Sequence, residues 1–453
     1  MTQHDSEHVV TLDPSTFRAY DIRGIVPDQL DAGGAEQIAR AFAARLGRPD
    51  AVILGRDVRL SGPELHSAAA EGLRRSGIDV IDIGQVATDE FYFACGVRRL
   101  PGMLVTASHN PPEYNGFKLV EDLPRLTVAS EFKDSVFDHT YEDAAEHGEL
   151  STWDVGAEFD RHMLELVPPE RLRPLRVVVD ASNGALGPVW ARLAEALPVE
   201  VDLLFCDPDG TFPNHGNDIV QPVNQEPLRR RVRELGADLG LIFDPDGDRC
   251  LVVDDRGDSV PGDFATALLA VTRLRHAPGS AVVYDIRCSE AVPDLVTAAG
   301  GKPFVWRPGH VYIKPKMQEL DAVFGGELSG HMYFKEFWFS DSGTLAGLTM
   351  LEYLSQLGHP LSQELAALRG RYFLSGEINS KVDDVDAVLE RIRARYADGR
   401  HSELSGIAVW FDDWKFVVRP SDNEPLLRLT VEADSQQLME EKRDELLGVI
   451  TAK

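Results

Sequence analysis

The stretch AVILGRD at residues 51–57 decides the fold class of this 453-residue chain. A short apolar run that ends in glycine and polar residues is typical of a buried parallel strand whose carboxyl end carries functional groups. The pattern returns as RVVVDASNG at residues 176–184 and as AVVYDIR at residues 281–287. A helix-like stretch and a further apolar run follow each copy, which predicts strand–helix–strand units with parallel pairing.

The spacing of these units predicts three similar α/β domains with mixed, mostly parallel sheets, followed by a smaller α+β domain. The predicted divisions are 1–150, 151–257, 258–369 and 370–453. In the last part the pattern changes to a helix at 382–396, strands at 406–412, 415–419 and 426–433, and a closing helix at 435–451. One large α/β domain with insertions is the alternative interpretation.

The overall charge limits the classes of partner. The formal charge of −28 and the isoelectric point of about 4.8 argue against binding to bulk nucleic acid or to anionic membranes. Cys95, Cys206, Cys250 and Cys288 lie far apart and form no CxxC motif, which is typical of reduced thiols. Residues 1–13 lack the apolar centre of a secretory signal. We therefore expect a cytoplasmic protein, without membrane or nucleic-acid partners, that acts on small molecules.

Three carboxylates follow an apolar run in LIFDPDGDR at residues 241–249. Asp244, Asp246 and Asp248 repel one another in a partly dry site unless a cation compensates them. Carboxylate oxygens without sulfur ligands suit Mg²⁺, and Mg²⁺ held by few protein ligands keeps a place for a phosphate oxygen. An EF-hand loop starting at Asp244 does not fit, because its sixth position is Arg249 instead of glycine. A phosphatase with Asp244 as nucleophile, and a solvated acidic turn, are the alternatives.

A serine loop, TASHNPP at residues 106–112, follows the predicted strand 102–105. Ser108 at a strand end suits a nucleophile or a phosphate carrier, and the two prolines stiffen the loop. Lys118 follows shortly and can neutralise a phosphate. A Ser–His–Asp hydrolase is not expected, because the chain has no GxSxG motif and Ser108 is adjacent to His109. An ordinary helix cap or turn is the alternative.

Two further loops carry groups that suit a phosphorylated sugar. In GGELSGH at residues 325–331, Glu327 and Ser329 can hydrogen-bond adjacent sugar hydroxyls, although the stretch also fits a plain glycine-rich connection. In RPSDNEP at residues 419–425, Arg419 together with Arg428 suits a phosphate cradle, although a surface turn is equally compatible. Basic groups at residues 18–24 and 307–314 add to a predicted anion pocket.

Taken together, five segments resemble the α-D-phosphohexomutase superfamily, in its phosphomannomutase/phosphoglucomutase branch. They are residues 20–24, 106–111, 244–249, 326–331 and 419–425, in the family's order and at its spacing across essentially the whole chain. The resemblance implies four domains around one central cleft. It also implies reversible phosphate transfer between O6 and O1 of a hexose, mannose foremost and glucose second, through phosphoserine and a hexose 1,6-bisphosphate that also acts as activator.

The resemblance also implies roles for individual residues. Ser108 carries the phosphate and completes an Mg²⁺ site with Asp244, Asp246 and Asp248. The residues implied in proton transfer or contact with the transferred phosphate are Arg23, Lys118, Arg249 and His310. The residues implied in substrate binding are Tyr20, Glu327, Ser329, His331, Arg419, Ser421, Asn423 and Arg428.

Some positions separate this chain from parts of the family. Leu328 fits the hexose-phosphate mutases, whereas relatives that act on glucosamine phosphate tend to have glutamine there. A phosphoglucosamine mutase is the alternative activity. Asp422 stands in the last loop, where many relatives have a small residue, and Arg287 stands where some have lysine. A non-catalytic sugar-phosphate or metal-binding module is a third hypothesis. We expect a monomer or a homodimer.

Overall fold

The computed structural model describes residues 12–138, 140–420 and 426–452. These residues form fourteen α-helices and twenty-three strands, which are arranged in four sheets. Within the described ranges, every helix is too short or too polar to cross a lipid bilayer. Three α/β units and a smaller α+β unit follow one another along the chain, which confirms the predicted fold class. The predicted domain divisions stay a prediction.

The first unit contains the segment AVILGRD at the centre of its sheet. Its elements are β1 (Ile22–Ile25), α1 (Ala32–Arg45), β2 (Ala51–Arg56), α2 (Gly62–Arg75), β3 (Asp79–Gln85), α3 (Thr88–Arg98), β4 (Gly102–Val105), β5 (Tyr114–Asp122), β6 (Arg125–Leu126), α4 (Ala129–Phe137) and β7 (Leu150–Thr152). The strand order is β1-β5-β4-β2-β3-β7, and β6 pairs with β5. Pairing is parallel from β4 to β7 and antiparallel at β5. The side chains of Val52, Ile53 and Leu54 are completely buried, as the apolar run predicts.

The second unit is a smaller version of the same arrangement. Its elements are α5 (Gly156–Leu166), β8 (Arg176–Asp180), α6 (Leu186–Ala196), β9 (Glu200–Leu204), α7 (Pro222–Leu235), β10 (Leu239–Phe243), β11 (Cys250–Asp254) and β12 (Ser259–Val260). The strand order is β12-β11-β10-β8-β9. Strands β10, β8 and β9 are parallel, and β11 returns antiparallel to β10.

The third unit repeats the topology again. Its elements are α8 (Gly262–His276), β13 (Ala281–Asp285), α9 (Ala291–Ala298), β14 (Lys302–Trp306), α10 (His310–Leu320), β15 (Phe324–Gly326), β16 (Met332–Phe334), β17 (Ser340–Asp341), α11 (Gly343–Gln356) and α12 (Leu361–Arg369). The strand order is β14-β13-β15-β16-β17, with parallel pairing up to β15 and antiparallel pairing beyond it.

The three units place their chemistry-bearing loops at one topological position. The serine loop joins β4 to β5, the triple-aspartate loop joins β10 to β11, and the Glu327 loop joins β15 to β16. In each sheet this is where the last parallel strand meets the first antiparallel one. Ligands of α/β sheets gather at the carboxyl ends of strands, so the repeated topology brings three equivalent loops toward one cleft.

The last unit has a different architecture. Its elements are β18 (Phe373–Leu374), β19 (Ile378–Lys381), α13 (Val385–Arg395), β20 (Arg400–Ser402), β21 (Ile407–Trp410), β22 (Trp414–Pro420), β23 (Leu426–Ala433) and α14 (Gln436–Thr451). The helix predicted at 382–396 begins later, at Val385, because the Asp384 side chain accepts a hydrogen bond from the amide of Ala387 and so caps it. The preceding residues form β19, which pairs with β23.

The apolar cores show which units share one continuous interior. One continuous apolar cluster includes Phe91 of the first unit, Trp190 and Phe243 of the second, and Phe264 and Leu345 of the third. The last unit has a core of its own. Among the described residues it also joins the third unit through a small cluster of Ile286, Ala408 and Val417. The first three units therefore form one body, and the last packs on it as a separate one.

Candidate active site

The serine loop holds Ser108 in an unusual backbone conformation. Its φ of 47° lies in the left-handed region that residues other than glycine rarely adopt. The amide of Ser108 donates to Thr106 Oγ1 at 2.9 Å, and the Thr106 hydroxyl donates to Asp57 Oδ2 at 2.7 Å. In this position Ser108 Oγ donates to Asp244 Oδ2 at 3.0 Å. The serine of the first unit thus meets the first aspartate of the second unit.

The three aspartates converge on one point. Asp244, Asp246 and Asp248 each present a carboxylate oxygen within 4.8 Å of the others, and all three are buried. The hairpin that carries them turns at Gly247, whose φ of 78° suits glycine. A Cβ atom at this position would lie 2.5 Å from Leu186 Cγ, so a side chain does not fit there.

The electrostatics of the triplet fit a hard divalent cation. Burial, together with the charges of Asp248 and Asp246, raises the pKa of Asp244 well above its ordinary value. Burial opposes the ionisation of Asp248, but the Lys118 ammonium and His331 outweigh it and hold the pKa of Asp248 well below the ordinary value. Within the described ranges, the buried Asp246 Oδ1 has no hydrogen-bond partner. Oxygen donors with an unused buried lone pair suit Mg²⁺.

Lys118 lies against the aspartates. Its Nζ donates to Asp246 Oδ2 at 2.7 Å and also contacts Asp248 Oδ2. Burial favours the neutral amine, but the two carboxylates outweigh it and raise the pKa of Lys118 well above the ordinary value. Thr88 supports the same carboxylate, because its hydroxyl donates to Asp246 Oδ2 at 2.9 Å and its amide donates to the Asp246 carbonyl at 2.8 Å. The first unit therefore orients a side chain of the second.

Arg249 links the loops of all three α/β units. Its amide donates to Asp244 Oδ1 at 3.1 Å, and its Nη2 lies 3.0 Å from His109 Nδ1 in the first unit. Its Nε lies 3.3 Å from His331 Nε2 in the third unit. The same His331 nitrogen lies 3.4 Å from Asp248 Oδ1. Arg249 thus supplies a fixed positive charge beside the aspartates and Ser108, and His331 lies between Arg249 and Asp248.

The loop after β15 presents two polar side chains next to each other. Ser329 Oγ donates to Glu327 Oε2 at 3.2 Å, and it also lies 3.0 Å from His331 Nδ1. Glu327 Oε1 accepts hydrogen bonds from the Tyr333 hydroxyl at 2.5 Å and from the Gly309 amide at 3.2 Å. These contacts hold the Glu327 carboxylate in one orientation beside the Ser329 hydroxyl, an arrangement suited to a pair of neighbouring sugar hydroxyls.

The amino-terminal segment contributes a second basic group near the serine loop. Arg23 donates from Nη1 to Asn110 Oδ1 and from Nη2 to Asp21 Oδ2, both at 2.7 Å. His310 Nε2 lies 3.4 Å from Asp21 Oδ1, and the ring of Tyr20 packs edge-on against the His310 ring. The sequence-predicted residues Tyr20, Arg23 and His310 are therefore neighbours.

The last unit presents its arginines to the third unit. Arg419 and Arg428 are opposite each other on β22 and β23. Burial, which is the largest influence, and the nearby charge of Arg287 lower the pKa of Arg419, whereas the carboxylates of Glu377 and Asp285 oppose this shift. Arg428 Nη1 donates to Glu377 Oε1 at 3.0 Å, and Glu377 Oε2 lies 3.7 Å from Arg287 Nη1. Ser421 and Asn423, the other predicted phosphate binders, lie outside the described residues.

Sequence reasoning missed Arg59, Thr88 and Glu377. Arg59 is completely buried, and it donates hydrogen bonds to carbonyl oxygens of the serine loop. A signal for it was present, because Arg59 closely follows the polar carboxyl end of AVILGRD, where functional groups are expected. Thr88 and Glu377 carried no local signal, since each acts on a residue that is distant in the sequence.

The fold and the cleft define a multidomain α/β protein in which a serine faces an acidic metal-binding cluster. Family models of phosphoglucomutase/phosphomannomutase match four successive parts of the chain. Alpha/beta/alpha domains I, II and III match residues 14–131, 157–257 and 261–372, and the C-terminal domain matches residues 377–449. The chain belongs to the phosphoglucomutase/phosphomannomutase family.

Individual relatives are similar over nearly their whole length. The "Phosphohexose mutases" protein of Xanthomonas campestris pv. campestris is 41% identical over 439 residues, which are 94% of this chain and 97% of that protein. The "Phosphomannomutase/phosphoglucomutase" of Pseudomonas syringae pv. tomato is 38% identical over 95% of this chain and 93% of its own. A crystal structure of a phosphoglucomutase/phosphomannomutase family protein from Burkholderia thailandensis superposes with a TM-score of 0.88 at 34% identity, covering 97% of each chain.

Proposed function

We propose that this protein interconverts hexose 6-phosphates and hexose 1-phosphates and that Ser108 carries the transferred phosphoryl group. One observation carries the proposal: Ser108 Oγ lies 3.0 Å from Asp244, inside a buried cluster of three aspartates. A serine phosphate and a divalent cation would share that position. The family membership and the relatives named as mutases support the same reaction.

The proposed reaction has two transfers of opposite direction. The bond between phosphorus and Ser108 Oγ breaks as a bond to the free sugar hydroxyl forms, which gives a hexose 1,6-bisphosphate. The intermediate turns around in the cleft, and Ser108 Oγ then forms a bond to the phosphorus of the other phosphate. The bond from that phosphorus to the sugar oxygen breaks, and the freed sugar oxygen takes up a proton. Mg²⁺ bound by Asp244, Asp246 and Asp248 would supply positive charge that offsets the charge of the transferring group. Arg249 adds a fixed guanidinium beside Ser108.

The hydroxyl proton needs an acceptor in each transfer. We assign this role to His310, because an imidazole nitrogen can accept a proton and Asp21 Oδ1 lies 3.4 Å from His310 Nε2. Lys118 suits a purely electrostatic role, since two carboxylates raise its pKa and keep it protonated. Arg23 bridges Asp21 and Asn110 and so orients both the base and the serine loop.

We propose mannose and glucose phosphates as the substrates, Mg²⁺ as the metal, and a hexose 1,6-bisphosphate as activator. The name of the Pseudomonas relative, "Phosphomannomutase/phosphoglucomutase", supports the choice of sugars. We also propose a cytoplasmic monomer or homodimer. In this proposal Glu327 and Ser329 read the sugar hydroxyls, with His331 and Tyr20 at the rim. Arg419, Ser421, Asn423 and Arg428 bind the phosphate that does not react.

A coupled assay tests the activity and the substrate choice. We expect kcat/KM on mannose 1-phosphate and glucose 1-phosphate to exceed that on glucosamine 1-phosphate, with turnover dependent on Mg²⁺ and on a trace of hexose 1,6-bisphosphate. A preference for glucosamine 1-phosphate would reassign the substrate. Mass spectrometry after turnover should find phosphate on Ser108, whereas phosphate on Asp244 would establish the phosphatase alternative.

The phosphate cradle gives a prediction for Arg419. We expect Arg419→Ala to raise KM for the sugar phosphate by roughly 10- to 100-fold, because a charge-assisted bidentate contact is lost. The Mg²⁺ affinity should stay unchanged, since the aspartates belong to another unit. Arg443, which is partly exposed and pairs with Asp444 on the closing helix, provides the matched control as Arg443→Ala. Equal KM values for the two variants would remove the cradle from the proposal.

A further inference from the structure

We propose that Arg59 is a positioning residue for phosphoryl transfer, because it clamps the serine loop in the conformation that presents Ser108. Arg59 lies in the loop between β2 and α2, 49 residues away from Ser108 in sequence. Its side chain is completely buried. The proposal rests on the proposed function, since it explains how the serine of that reaction is held in place.

All four hydrogens on the two terminal nitrogens of Arg59 are donated to carbonyl oxygens of the serine loop. Nη2 donates to the carbonyls of Ser108 at 2.6 Å and Asn110 at 2.7 Å. Nη1 donates to the carbonyls of Pro111 at 2.7 Å and Tyr114 at 2.8 Å. One rigid, planar group thus fixes four carbonyl directions over a seven-residue span, and lysine has neither the number nor the geometry of donors to replace it.

The loop depends on a side-chain clamp for a physical reason. Pro111 and Pro112 lack amide hydrogens and so donate no backbone hydrogen bonds, whereas the amides of Asn110 and Tyr114 donate to the carbonyls of Ala107 and Pro111 within the loop. Ser108 also adopts a left-handed φ of 47°, which is unfavourable for a residue with a side chain. Such a conformation persists only when several surrounding contacts hold it in place. The contact from Arg59 to the Ser108 carbonyl is one of them.

The charge of the clamp is compensated locally. Asp57 Oδ2 lies 3.3 Å from Arg59 Nε, and Asp57 Oδ1 accepts the Arg59 amide at 3.0 Å. Asp57 also accepts the Thr106 hydroxyl, which in turn receives the Ser108 amide. Asp57 and Arg59 therefore hold Ser108 from both of its peptide groups. A buried arginine without this network would be strongly destabilising.

The second unit closes the clamp from outside. The guanidinium carbon of Arg59 lies 5.4 Å from the centre of the Phe212 ring. The Asn217 amide donates to the Asn110 carbonyl at 2.8 Å, the same oxygen that Arg59 Nη2 contacts. The loop that bears Ser108 is consequently fixed to the unit that bears the aspartates. This ties the distance between Ser108 Oγ and the metal-binding cluster to the Arg59 contacts.

Kinetics of Arg59→Lys and Arg59→Gln test the proposal. We expect kcat to fall by roughly 100-fold, because small displacements of a reacting group cost about that much, while KM for the sugar phosphate stays nearly unchanged. Hydrogen exchange of the amides at 106–114 should become faster in both variants. Arg40→Lys is the matched control, because Arg40 is also a buried arginine of the first unit that donates to a carbonyl, that of Tyr141. It should lower the melting temperature with kcat unchanged.

The possible outcomes distinguish a failure of the proposed function from a failure of the Arg59 clamp. Absence of mutase turnover in the unmodified protein overturns the proposed function. A second outcome overturns the clamp alone. In it the unmodified protein turns over normally, the Arg59 variants and Arg40→Lys lose a similar amount of melting temperature, and the kcat of the Arg59 variants is no lower than that of Arg40→Lys. A rise in KM at unchanged kcat also overturns it. If neither Arg59 variant folds, Asn217→Ala removes one donor from the same loop, and unchanged kcat together with unchanged exchange at 106–114 counts against the clamp.

Discussion

Replacing Ser108 by alanine is expected to lower kcat by roughly 10⁴-fold or more, because the variant lacks the hydroxyl that we propose as the carrier of the phosphoryl group. Among the described residues that contact Asp244, Ser108 supplies the side-chain hydroxyl, at 3.0 Å. Sugar-phosphate affinity should change little, since the proposed binding groups lie on the third and last units. A coupled assay and calorimetry with a sugar phosphate measure the two effects separately.

The control for this variant is Ser151→Ala, which removes an exposed hydroxyl from the edge strand β7. Its kcat should equal that of the unmodified protein. Near-normal turnover by Ser108→Ala would refute the assigned role, and loss of sugar-phosphate affinity in step with kcat would show that Ser108 acts in binding.

Asp246→Asn is expected to weaken Mg²⁺ binding by at least about tenfold, because a neutral amide replaces a carboxylate of the cluster. Asp246 Oδ2 is already held by Thr88 and Lys118, so the side chain should keep its place. The change then removes charge without moving the loop. Titration calorimetry with Mg²⁺ and with Mn²⁺ reports affinity independently of turnover.

Asp180→Asn is the matched control. Asp180 ends the neighbouring strand β8, is equally buried, and pairs with His215 Nε2 at 3.2 Å. Its replacement should leave metal affinity unchanged. Metal binding by Asp246→Asn that equals that of the unmodified protein would exclude Asp246 as a ligand, and an equal loss in Asp180→Asn would point to a general disturbance of the second unit.

Lys118 shows how far reasoning from sequence reaches. Its place after the serine loop suggests a partner for phosphate, and the charge of a lysine makes that inference reasonable. The structure puts its ammonium on Asp246 and Asp248, 128 and 130 residues away. Nothing in the local pattern indicates this pairing, because β5 and the aspartate hairpin belong to different sheets.

The fold class follows from the sequence alone, whereas the roles assigned to the loop residues stay predictions. Apolar runs that end in polar groups, such as AVILGRD, are local signals, because the side chains of the strand itself show whether it is buried. The tertiary structure sets which loops meet and which side chain faces which carboxylate. It also brings the buried Arg59 into hydrogen-bond contact with the serine loop. Those contacts join residues far apart in the chain. They are set by packing between sheets, which leaves no periodic pattern in the local sequence.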